Sequence, residues 1–220
     1  AVATKTYMDD VFSTYLWKGN DTARSINNGI NLSQDGGLTW IKSRSNTEDN
    51  WLFDTVNGAD WALRSNLDNA RYNTGSPYMS AFNSNGFSIG THDGVNDASQ
   101  TYSSWSFRKA PGFFDVVQIT GDGTGAKAIS HNLESIPGLI LVKTTGVTGN
   151  WSVYHRSVGF SNGLLLNDSY GAQFASPVSA VSDTTFTITN AINENGRTYI
   201  CYLFAGGEST AATARSVDFD

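Results

Sequence analysis

One cysteine, four prolines and two methionines in 220 residues remove several structural classes at once. A lone thiol, Cys201, closes no disulfide within one chain, so packing alone must hold the fold and cysteine usage says nothing about compartment. Charge is also scarce, at 15% of residues against about 25% in ordinary globular proteins. The 14 basic and 20 acidic side chains are dispersed, without a basic stripe, which argues against nucleic acid or an anionic membrane surface as partner. No apolar run approaches the roughly 18 residues of a membrane span, so membrane insertion by a helix is not expected. Three histidines, His92, His131 and His155, lie too far apart for a local metal motif. Glycine-rich GDGTG at Gly121 lacks the Lys-Ser/Thr and helix of a phosphate cradle. No catalytic residue, metal or cofactor is therefore expected.

What the chain does contain is itself, twice. VFSTYLWKGNDTARSINNGINLSQDGGLTWIKSR, from Val11, returns as FFDVVQITGDGTGAKAISHNLESIPGLILVKTT, from Phe113. Leu38, Ile41 and Lys42 match Leu139, Val142 and Lys143, and TYSSWSF at Thr101 matches TYICYLF at Thr198. Asn50-Trp51 matches Asn150-Trp151 by letter. A period near 100 residues exceeds the roughly 20–50 of solenoid repeats, so each copy should bury a core of its own.

Apolar residues alternate along both copies, and Asn-Gly pairs at Asn28, Asn57, Asn85, Asn162 and Asn195 read as hairpin turns. The expectation is all-β: two tandem, duplicated antiparallel β-sandwich domains, residues 1–109 and 110–206. Residues 207–220 read as a linker that ends either in the first residues of a further domain or in a disordered tail.

Comparison of the copies sorts the aromatics. Trp51 recurs as Trp151, Trp105 as Tyr202, and Trp17 and Trp40 as Ile119 and Leu141, which assigns these positions to the core. Cys201 answers to Ser104 and reads as a small buried residue. Trp61 is different, because the second copy has Asn162-Gly163 there. With Asp60, Arg64, Tyr72 and Tyr78 close in sequence, it forms either a sugar-stacking or protein-contact patch or a local plug beneath a long loop. In the run HDGVND at His92, Asp93, Asn96 and Asp97 supply oxygens that suit calcium, although an Asx-type turn accounts for them as well.

The blocks GLTWIKSR, NWLFDTVNGA, FNSNGFSIG, SWSFRKAPGFFDVV, ISHNLESIPGLILVK and TYICYLFA, in that order, resemble a repeat of large virion structural proteins of bacteriophages, marine and cyanobacterial phages among them. In that family the repeats are often followed by LamG-like, concanavalin-type domains, and SVDFD at the end is similar to the start of one. The resemblance implies a virion surface assembled in host cytoplasm, which suits an unpaired cysteine. It implies a non-enzymatic tail fibre, appendage or capsid-surface decoration, with other virion proteins as partners, a homo-oligomer such as a trimer, and possible contact with host-surface glycan. The alternatives are a carbohydrate-binding adhesin or lectin and a polysaccharide-degrading enzyme.

Overall fold

The computed structural model describes residues 6–171 and 174–206, so the expected linker beyond them lies outside the described residues. The chain is all-β: every described strand pair is antiparallel, and helix is confined to single turns at Met8–Val11, Leu32–Asp35 and Asp93–Asn96 plus a 3-10 turn at Asn190–Ile192.

The chain divides into two units. The first holds Asp9–Asn66 and Arg71–Arg108; the second holds the rest of the described chain, including Leu67–Ala70. In the first unit the strands are β1 (Phe12–Lys18), β2 (Arg24–Asn27), β3 (Gly37–Ser43), β4 (Asn50–Asp54), β5 (Trp61–Arg64), β6 (Tyr72–Asn73), β7 (Met79–Asn83), β8 (Gly86–Ile89) and β9 (Thr101–Arg108). They form one sheet ordered β1-β9-β3-β4-β5-β6 and another ordered β2-β8-β7. The second unit runs β10 (Phe114–Thr120), β11 (Lys127–Ser130), β12 (Pro137–Thr144), β13 (Ser152–His155), β14 (Leu164–Leu165), β15 (Val178–Val181), β16 (Thr185–Ile188) and β17 (Thr198–Ala205). Its sheets are β10-β17-β12-β13-β14 and β11-β16-β15.

Alternation explains the cores. In the first unit Trp17, Ile41, Phe53 and Tyr102 of the large sheet meet Ile26, Met79, Phe87 and Ile89 of the small one. In the second, Ile119, Val142, Tyr154 and Cys201 meet Val178, Phe186 and Ile188. Both units are thus β-sandwich-like, each with a core drawn from two sheets. Trp40 and Trp105 do not join that core: they sit opposite one another on the outer side of the large sheet, half-buried and edge to face at 6.4 Å. Their strand parity, opposite to that of Ile41 and Tyr102, overrides their bulk.

A second correction concerns register. Trp51 lies across from Ile41, whereas Ser152 lies across from Val142. The flanking bonds agree: Asn66 Oδ1 accepts from the Asn50 amide (2.9 Å) and Asn167 Oδ1 from the Trp151 amide (2.8 Å). Structurally Asn50 therefore matches Trp151, and Trp51 matches Ser152. One residue of displacement moves a side chain to the other face. Trp151 turns away from the inter-sheet core and stacks on Tyr202 at 6.0 Å, while Trp51 packs inward.

The Asn-Gly pairs also depart from simple hairpin chemistry. Gly29, Gly58, Gly86 and Gly196 take positive φ but none of the preceding asparagines does, which excludes type I′ turns, and Gly163 instead bridges Phe174 in extended form.

Candidate functional site

In the first unit a column of rings rises from the core to the surface. Trp51 packs against Tyr78 at 4.7 Å, and Tyr78 stacks on the imidazole of His92 at 3.6 Å. The indole fits closely enough that Gly94 admits no side chain, since a Cβ there would lie 2.8 Å from Trp51 Nε1. Arg64, paired with Trp51 across β4 and β5, holds its guanidinium 5.5 Å from the Trp51 ring and 5.9 Å from that of Tyr72. Asp49 fixes it with a 3.1 Å ion pair and also accepts from Asn66 Nδ2 at 2.7 Å. Tyr72, 49% exposed, stands edge-on to buried Tyr78 at 6.5 Å. The exposed phenol thus rests on buried rings and beside a pinned cation.

Burial shifts the proton affinities of both stacked rings. Burial, with Tyr72 and Glu48 adding to it, pushes the Tyr78 phenol up to about 12, so it stays neutral. Burial lowers the basicity of His92, whose Nδ1 is occupied in accepting the Gly94 amide proton at 3.0 Å. The Tyr78 hydroxyl is thus a neutral group, and the His92 Nδ1 lone pair is already engaged.

The five residues singled out from sequence separate into two places. Arg64, Tyr72 and Tyr78 come together around Trp51. Trp61 is one residue out of phase with core-facing Ala62 and lies on the reverse of β5, where Arg71 covers its ring at 4.3 Å and donates to Asn57 Oδ1 at 3.0 Å. Asp60 is exposed and contributes its carbonyl, which accepts from Thr74 N (2.8 Å), Thr74 Oγ1 (3.0 Å) and Gly75 N (3.3 Å). Sequence proximity misses Trp51, His92 and Asp49. Cross-strand pairing of Arg64 with Trp51 is the signal that gathers them, and it depends on long-range register.

The corresponding place in the second unit is open. A cavity of about 340 Å³ is lined by Ser152, Leu165, Phe174, Ala191, Arg197 and Tyr199 among others. Ser152 pairs with Leu165 as Trp51 pairs with Arg64, and Phe174 bridges Gly163 where Tyr72 pairs with Ala62.

The other motifs serve the fold. Asp97, in HDGVND, has its carboxylate held below the usual range by Ser99 and Gln100, the pattern of an Asx turn. Buried Asn96 donates to the carbonyls of Thr22 and Gly90, each at 2.8 Å, and Asn193 ties the GDGTG turn in the same way through Asp122 and Gly125. Among the described residues no three His, Cys, Asp or Glu side chains converge as metal ligands. Burial drives the Cys201 thiol far above its ordinary value.

Fold and site together define an all-β, β-sandwich-like protein whose first unit sets an exposed tyrosine and a fixed arginine against buried rings. A family model described as a domain of unknown function, DUF7483, matches residues 8–212, and the chain belongs to that family. The matched span runs through both units. Neither the curated proteins nor the solved structures yield a match.

Proposed function

We propose that this chain is a non-enzymatic structural protein of a phage particle, a tail fibre, appendage or capsid-surface decoration, built from two copies of one β-sandwich. Its contact with host-surface glycan or with neighbouring virion subunits runs through the Tyr72–Arg64 face of the first unit. The observation that carries this reading is the mounting of Tyr72: an exposed ring set against buried Tyr78, with Arg64 held between Tyr72 and Trp51 by Asp49. Such a ring gives up little conformational freedom on binding, and ring face plus cation suits the apolar face and hydroxyls of a sugar. The matched order of sheets supports the duplication. The virion setting rests on the sequence blocks that resemble phage structural proteins.

Two measurements test it. Antibodies raised to the chain should label intact virions; their failure to bind any part of the particle removes the structural reading. Retention on host-envelope polysaccharide should fall about five- to tenfold in Tyr72→Ala and in Arg64→Ala while Trp61→Ala, on the reverse of the strand, keeps it. Equal retention by all three variants dismisses this face as the contact.

A further inference from the structure

The cavity of the second unit is the indole socket of the first, left unfilled. Four correspondences establish this. Ser152 stands where Trp51 stands, since each lies across from the matching core residue, Val142 or Ile41. Leu165 replaces Arg64 and Phe174 replaces Tyr72. Ala191 sits within the turn that Thr189 caps, as Gly94 sits within the turn that His92 caps. Gly94 is required by the indole 2.8 Å from where its Cβ would be; without an indole, Ala191 is accommodated. The residue that filled the socket by letter, Trp151, points to the other side of the sheet.

The lining states what the open socket accepts. Leu165, Ile192 and the half-exposed Phe174 offer an apolar wall for the face of a ring. Ser152, Asn150, Asn190 and Thr144 offer neutral donors and acceptors for its edge, and the side chains of Ser152 and Asn190 make no hydrogen bond among the described residues. The two charges at the cavity, Arg197 and Glu194, are spent on one another at 2.7 and 2.8 Å, so nothing there selects an ion. A volume of about 340 Å³ is at the small end of ligand pockets. Purely aromatic occupants would leave the polar edge unmatched, which disfavours them relative to a ring bearing hydroxyls.

We propose that the second unit binds a neutral, ring-shaped, polyhydroxylated ligand, a single saccharide residue, in the socket that the first unit fills with its own Trp51. This site is distinct from the Tyr72–Arg64 face and stands or falls without it.

The test uses the full chain, with methyl glycosides of glucose, galactose, mannose and N-acetylglucosamine as probes and indole as the contrasting ring. Binding is read by calorimetry and by amide shift mapping. At least one glycoside should bind, shifting Ser152, Leu165 and Ala191. Refilling the socket with the paired change Ser152→Trp and Ala191→Gly should weaken it at least ~10-fold. Asn190→Ala, at an exposed position that leaves the core intact, should weaken it as well and stands in if the double variant fails to fold. The proposal is overturned if no glycoside binds, if indole alone binds, or if binding maps to Arg64 and Tyr72 and survives both variants. The last result would leave the Tyr72–Arg64 reading standing while removing this one.

Discussion

Ser104 and Cys201 occupy the same place in their units, both fully buried on the core side of the strand that pairs with β1 or β10. Sulfur suits that place and oxygen does not: Ser104 Oγ has no hydrogen-bond partner among the described residues. A buried hydroxyl left unsatisfied costs about 1–3 kcal/mol. Ser104→Cys should therefore raise stability by about 1 kcal/mol in urea unfolding, and Cys201→Ser should lower it. Asn96 and Asn193 show the opposite case, polar groups whose burial is fully used. Each anchors the turn after the first strand of its unit, where Gly19 and Gly121 have a carbonyl oxygen 1.9 and 2.2 Å from the position a Cβ would take. Asn96→Ala leaves the carbonyls of Thr22 and Gly90 without their donor and should cost about 1–3 kcal/mol, with a like loss for Asn193→Ala, read from denaturant midpoints at unchanged slope.

Among elements, β12 carries the most telling charge. Lys143 is fully buried with its Nζ donating to the Thr144 carbonyl at 2.9 Å, and burial lowers it from 10.5 to about 8, with the Asp68 carboxylate working the other way. Below about 8 the lysine is protonated in both folded and unfolded chain, and the burial penalty is fully felt. Between 8 and 10.5 the folded chain releases the proton first, so this residue's contribution to stability rises with pH, by up to about 3 kcal/mol. Stability measured from pH 7 to 10.5 should accordingly climb in wild type relative to Lys143→Met. Parallel curves would mean that Lys143 keeps its ordinary affinity for protons.

The elements also show what the sequence discloses. All-β character was legible because the signal is local: alternating apolar residues and frequent turn dipeptides. Members of the site were legible in part, since Arg64, Tyr72 and Tyr78 do meet, but Trp61 and Asp60 went with them on sequence distance alone. Strand parity sends Trp61 to the far side of β5 and carries Trp40 and Trp105 out of the core. Matching Asn50-Trp51 with Asn150-Trp151 by identity inserts a gap that the ladders do not contain. Register is fixed by partners far along the chain, and letters compared in pairs do not report it.

At the scale of the whole molecule, two units with the same order of strands put a filled socket and an open one in a single chain. In the proposed virion setting, many copies would turn weak contacts into firm attachment. The chain should then sediment as a homo-oligomer, and its retention on polysaccharide-coated surfaces should exceed its affinity for single glycosides by about 100-fold or more; a strictly monomeric species with equal affinities for both would set the assembly reading aside.

The displaced tryptophan sets the two units apart by one residue of spacing. Trp51 is the ninth residue after Lys42 and Trp151 the eighth after Lys143, and that single step in the count is the difference between an indole kept inside the unit and one turned out of it.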